Sequence, residues 1–308
     1  MRTRVGPFIF FTVFLDLIGF GIVFPLLPFY VKTMGGSAET VGVLLSSFAF
    51  TQLVATPFLG RLSDRIGRRP VILLSLAGNA LAMFIFALAT KVTLLPLLFA
   101  SRILAGGTAG NLSACQAAIA DVATGDERAK EMGRLGAAMG LGLVLGPVIG
   151  STLSHFGAWA PPLAAAALAL IDFVGAAILM PETRHLRPVE AEGAAATKPR
   201  HITLGAKLRE KRVVMVLGVY FLVFLCMSNL QVALALLCNE RFDWGIKEVG
   251  HLFALFGFVA LIVQGILIGR LSKAFGQINL IVAGSLLMLA GMLVVAVAFS
   301  PYSLVIGL

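Results

Sequence analysis

Apolar residues along this 308-residue chain come in long unbroken runs rather than in strict alternation with polar ones. The runs "VGVLLSSFAFTQLVATPFL" (41–59) and "VILLSLAGNALAMFIFALA" (71–89) carry no charge, yet the stretch between them, "GRLSDRIGRRP" (60–70), holds four arginines and an aspartate. A bilayer core needs about 20 apolar residues per crossing helix. Backbone groups left unpaired in lipid are costly, so such runs must be helical. The pattern predicts nine full spans, at about 7–30, 41–60, 70–90, 93–120, 133–155, 159–180, 213–238, 247–269 and 277–300, with a tenth beginning at "PYSLVIGL" (301–308). The fold class expected is an all-α membrane protein.

Composition agrees with that reading. Hydrophobic residues make up 59% of the chain and charged ones 13%, with mean hydropathy +0.97, whereas a soluble domain is about half apolar and about a quarter charged. "MRTR" before an apolar run resembles a secretory signal, but the run is too long, carries Asp16, and lacks an Ala-x-Ala-like cleavage site. The three cysteines, Cys115, Cys226 and Cys238, all fall in predicted helices. Their odd number and the lack of metal-ligand spacing point to reduced, packed thiols.

The formal charge of +9 has a topological meaning. Assigning the loops alternately to two sides gathers Arg2, Arg4, the arginines of 60–70, Arg128, Lys130, Arg134, the cations between 184 and 212, Arg270 and Lys273 on one side. Lys32, Lys91, Arg241 and Lys247 fall on the other. By the positive-inside rule the rich side is cytoplasmic, as is the N-terminus. The charge then serves topology and anionic lipid; a nucleic-acid partner would require a basic folded domain, and the pattern provides none. "GRLSDRIGRRP" becomes a short cytoplasmic turn.

A second copy of that turn divides the chain. "GRLSDRIG" at 60–67 recurs as "GRLSKAFG" at 269–276, an offset of 209 residues. A parallel duplication follows: an N-terminal six-helix bundle over 1–180, a cytoplasmic linker over 181–212, and a partial C-terminal bundle over 213–308 with helices seven to nine and the start of a tenth. The linker is charged, Pro-broken and diluted with Ala and Gly, as a mobile connector is expected to be. The same offset puts the end of a complete second half near about residue 390. Three further helices, and no transport by residues 1–308 alone, are expected on this reading.

Four motifs carry a family resemblance. "LDLIGFGIVFPLLPFY" (15–30), "GRLSDRIGRRP" (60–70), "RILAGGTAG" (102–110) and "GLGLVLGPVIG" (140–150) are similar to the first-helix, loop two-three, fourth-helix and fifth-helix motifs of the major facilitator superfamily, in its drug:proton antiporter group that includes the tetracycline efflux pumps. "NERFDW" (239–244) also resembles the end of the seventh helix in those pumps. The resemblance covers the whole chain. It implies two pseudo-symmetric six-helix halves, a bacterial inner (plasma) membrane location, a monomer, a small amphipathic substrate and protons as partners, and no cofactor.

Physical readings of single residues stand beside those implications. An ionised Asp16 inside the first span is costly, which suits a proton carrier; its bland role is to bond a neighbouring backbone group at a kink. Pro25, Pro28, Gly19 and Gly21 loosen the same helix. Arg102 cannot discard its charge and needs a carboxylate, carbonyls or water. The resemblance implies that it aids proton coupling, and an interhelical strut is the alternative. Asp172 in span six matches no motif and reads first as a structural bond, then as a coupling group.

Gly142, Gly146 and Gly150, spaced by four, line one helix stripe for close packing, and Pro147 removes a bond within it. The resemblance implies a pliable seam there against leak. In the turn, Gly60 and Gly67 permit tight helix ends, and the cations Arg65, Arg68 and Arg69 stand beside Asp64 and Asp121. The family reading is a cytoplasmic gate latch; plain topology would need the cations only. Lys273 replaces Asp64 in the second copy.

Asn79, Asn111, Gln116, Asn229, Gln231 and Gln264 are polar groups inside spans, with Asn111, Gln116 and Gln231 the candidates for a substrate cavity. Each also serves as an ordinary helix–helix bond. Tetracycline pumps of the group carry further carboxylates in helices three and nine, where this chain offers Asn79 and no charge respectively, which weakens tetracycline as the substrate. Three functions stay open: proton-driven efflux of amphipathic compounds, metabolite symport or facilitation on the same fold, and an inactive truncated transporter fragment. No hydrolase, nucleotide-binding or metal motif is present in the sequence, so an enzyme is not expected.

Overall fold

The computed structural model describes residues 2–183, 211–263 and 274–297, together with residues 267, 271 and 300. Half of the repeated motif at 269–276 falls outside the described residues, and 184–210 of the linker, Gln264 and the start of the tenth span lie outside them altogether. All the regular structure described is helical.

The first apolar run forms α1 (Arg2–Val23), a 3-10 turn (Phe24–Leu26) and α2 (Leu27–Thr33). Pro25 and Pro28 lack the N–H that a continuous helix requires, and the α-helix gives way to the 3-10 turn at that point. Then come α3 (Ala38–Ile66), α4 (Arg68–Val92), α5 (Leu95–Gly107), α6 (Asn111–Val122), α7 (Gly125–Leu153) and α8 (Ala160–Leu179). The C-terminal part contains α9 (Lys211–Phe242), α10 (Ile246–Ile262) and α11 (Gln277–Ala296). Ser37 caps α3 in a reciprocal box with Thr40, whose backbone N–H donates to the Ser37 Oγ.

The expectations for the turn at 60–70 and for the fourth span change. The turn at 60–70 is not a loop: α3 runs to Ile66, α4 starts at Arg68, and Gly67 alone separates them. Its φ of +108° lies where a side chain is strained, so glycine is required there. Gly60, in contrast, sits inside α3 with open space around its Cα, and ends no helix. The fourth span is two helices, because "GGTAG" at 106–110 offers three glycines of poor helix propensity. Met180 and Thr183, on either side of the expected start of the linker, are buried. By length and composition, six helices among the described residues are long and apolar enough to cross a membrane.

Helix α1 occupies the middle of the first bundle and packs against α7 and α8, while α4 packs against α8 and α5, and α3 against α5. Two clusters of buried side chains fill it, one around Ile72, Cys115 and Ile119 and the other around Ile22, Leu44 and Phe86. Outward-facing Phe50, Leu53, Phe58, Ile171 and Ile178 are exposed, forming the apolar belt that a spanning protein shows to lipid tails. The C-terminal part joins mainly through α10 on α7.

Candidate substrate and proton site

The break between α5 and α6 builds the site. It places Asn111, the first residue of α6, against α1, where the Asn111 Nδ2 donates to Asp16 Oδ2 at 3.4 Å. From α4 the Asn79 Nδ2 donates to Asp16 Oδ1 at 2.9 Å. Each carboxylate oxygen therefore has one amide donor. Neither bond involves a cation, and among the described residues Asp16 has no ion pair. Cys115, one turn along α6, donates to the Asn111 Oδ1 and holds that amide in orientation.

Asp16 opens on a cavity of about 410 Å³ that also takes in Phe20, Phe48, Gln52, Asn79 and Arg102. The Arg102 side chain reaches it from α5 and is 5% exposed. Its Nη2 makes two long contacts, to Ser101 Oγ at 3.4 Å and Met83 Sδ at 3.6 Å, and its Cζ stands 4.8 Å from the centre of the Phe86 ring. Nε has no partner, and no carboxylate forms an ion pair with Arg102 among the described residues. Of the partners contemplated for it, a carboxylate is not found among the described residues.

Every residue lining this cavity lies between 16 and 112, within the first bundle. Of the three polar candidates, Asn111 lines it. Gln116 is exposed on α6 and does not, and the side chain of Gln231 lies outside the described residues. Gln52 and Phe48, from α3, went unnoticed as cavity residues because the sequence gives no register between α3 and α5. Asp172 is buried on α8, with the buried Thr12 hydroxyl of α1 as its polar neighbour.

At the basic end of the bundle the structure gathers the motif residues around Arg68. Its Nε donates to Asp121 Oδ2 at 2.9 Å, and its Nη1 to Asp64 Oδ1 at 2.7 Å and Ser63 Oγ at 3.1 Å. Arg68 and Asp121 are buried, whereas the Asp64 side chain is 63% exposed. Arg69 donates to the carbonyl of Ala177 on α8, and Arg65 lies exposed. One participant went unrecognised in the sequence. Glu182 accepts from the backbone N–H of Arg68 at 2.9 Å and of Arg69 at 3.2 Å, so a carboxylate caps the N-terminus of α4. An acid two residues past the end of an apolar run was the available signal.

The stripe of Gly142, Gly146 and Gly150 faces α1. A Cβ added at Gly146 would stand 2.6 Å from Gly21 Cα, one at Gly142 2.7 Å from Leu17 Cβ, and one at Gly150 against the Ile22 carbonyl. Pro147 lies in this seam too, its Cδ near Gly21. The far side of α7 meets α10, where Gly250 and Gly257 face Ser151 and Val144.

A family model described as Major Facilitator Superfamily matches residues 9–308. The chain belongs to the major facilitator superfamily, and with it to a class of membrane transporters. Within that class it is 35% identical over 279 residues to Tetracycline resistance protein, class C, of Escherichia coli, covering 89% of this chain and 68% of that protein. It is 30% identical over 282 residues to Multidrug resistance protein 2 of Bacillus subtilis (strain 168), covering 87% and 67%. A solved structure, that of the human organic anion transporter MFSD10 (TETRAN), matches with TM-score 0.71 at 26% identity, over 99% of this chain and 81% of that one.

Proposed function

We propose that this protein is a secondary active transporter that exports small amphipathic compounds in exchange for protons. The observation that carries the reading is Asp16: a carboxylate inside a spanning helix, opening on a cavity of ligand size and held by two amides rather than by a cation. Amide donors favour the anion less strongly than a tightly paired cation would, which leaves protonation within reach. Intramembrane carboxylates of this kind mark proton and substrate pathways. Phe20 and Phe48 offer ring faces to an apolar body, and Gln52 and Asn79 offer orienting groups. Similarity to tetracycline and multidrug resistance proteins supports a drug-like substrate over a metabolite.

In this reading Arg102 supplies the positive side of the cavity and takes part in coupling. The Asp64, Arg68 and Asp121 cluster is a gate latch on the cytoplasmic side, with the N-terminus cytoplasmic in a bacterial plasma membrane. The glycine and Pro147 seam between α1 and α7 bends as the carrier changes face. Drug added to proteoliposomes bearing an imposed pH gradient tests the exchange. Antiport predicts that an amphipathic drug dissipates the gradient; drug movement without any proton flux would assign the chain to facilitators instead.

A further inference from the structure

The two charged groups of the cavity differ in how fully their hydrogen-bonding atoms are used. Asp16, its acid, already has an amide donor on each oxygen. Arg102, its base, is different. A guanidinium carries five N–H donors in a planar fork, and here both polar contacts come from a single nitrogen, Nη2, at 3.4 and 3.6 Å. The Nε has no acceptor within reach. Its contacts to another helix, the Met83 thioether and the Phe86 ring face of α4, engage only one of these donors and a weak acceptor, so bracing α5 against α4 leaves most of the fork unused. The Phe86 ring face supports the charge from behind without using a donor. A buried cation without a counter-ion is costly to keep, so the missing acceptor is the group to look for.

We infer that the compound held in this cavity carries an anionic group, a carboxylate or a comparable planar oxyanion, that docks on the Arg102 guanidinium, with its apolar body against Phe20 and Phe48. This deepens the proposed function and rests on the reading of the cavity as the substrate site. Planar oxyanions match the guanidinium fork with two parallel hydrogen bonds. A cation brought into the same space would face the Arg102 guanidinium directly. The cavity of about 410 Å³ lies within the range that encloses small ligands, so an aromatic acid can be accommodated whole.

Dansylglycine and dansylglycinamide test this, since they share one fluorophore and differ in a carboxylate against a neutral amide. Binding of each to the chain in lipid nanodiscs is measured by fluorescence titration, with empty nanodiscs subtracted. The acid is expected to bind the wild-type protein about tenfold or more tightly than the amide, the size of a charge-assisted hydrogen bond. Arg102→Gln brings the ratio of the two affinities toward one, and Arg102→Lys, which keeps a point charge but loses the fork, falls between. Thermal unfolding of each variant confirms that it is folded. Equal binding of acid and amide by the wild type, a ratio that persists in Arg102→Gln, or binding of neither probe would each overturn the inference. None of these outcomes touches proton exchange at Asp16, which fails separately if Asp16→Asn still moves protons.

Discussion

Adding one methyl group at Gly146 tests the seam between α1 and α7. A Cβ there would lie 2.6 Å from Gly21 Cα, 2.7 Å from the Gly21 carbonyl carbon and 2.8 Å from the Ile18 oxygen, all of them backbone atoms that no rotamer change can remove. Carbon atoms in contact sit about 3.5–4.0 Å apart, so α1 must retreat by roughly 1 Å at this crossing. Overpacking of that kind costs about 1–3 kcal/mol. Alanine also gains about 1 kcal/mol in helix propensity over glycine, and Gly136→Ala isolates that gain. Gly136 lies on the same helix with nothing within 4 Å of its added Cβ. Gly146→Ala is therefore expected to unfold below Gly136→Ala by several degrees, at about 2–4 °C per kcal/mol. A maleimide fluorophore reports the transition, because Cys115 and Cys238 are buried in the folded state. Coincident midpoints for the two variants would refute the close packing of α1 on α7.

Other substitutions separate the parts of the basic-end network. Asp121→Asn removes the buried partner of a buried guanidinium and is expected to cost about 3–5 kcal/mol, far more than Asp64→Asn at its exposed site; equal losses in thermal unfolding would contradict that ordering. In transport, Asp64→Asn is expected to slow export more than Arg61→Gln while both proteins insert normally, and equal slowing would reduce the cluster to a topology signal. Glu182→Ala frees two backbone donors at the start of α4 and is expected to cost about 1 kcal/mol, the usual value of a helix cap. Hydrogen exchange at Arg68 and Arg69 checks it, and unchanged protection there would mean that Glu182 caps nothing.

Long apolar runs made the helices legible, because lipid allows a spanning chain few alternatives. Asp16 and Arg102 stood out for the same reason: charge within such a run is costly and asks for an explanation. What periodicity could not reveal is which helices touch. The sequence marked Asn79 and Asn111 as polar, but their shared hold on Asp16 depends on the α5–α6 break and on the crossing of α4 over α1. The break itself was written in "GGTAG" and masked by the apolar residues on both sides. Gln116 does not line this cavity, and polarity alone does not say which way a side chain faces. Glu182 was read as part of a charged linker, since composition does not reveal that two backbone N–H groups wait beside it. The Asp64, Arg68 and Asp121 cluster was legible as charge, though Gly67 as the single residue between α3 and α4 was not.

The account rests most heavily on Asp16 as the group that exchanges a proton for a drug. The direct measurement is proton release when an amphipathic drug such as tetracycline is added to the purified protein in weakly buffered solution, followed with a pH-indicator dye. Wild-type protein is expected to release protons in proportion to the drug bound, and Asp16→Asn to bind drug with no release. Release of the same size from Asp16→Asn would contradict the assignment and move the coupling group elsewhere in the bundle.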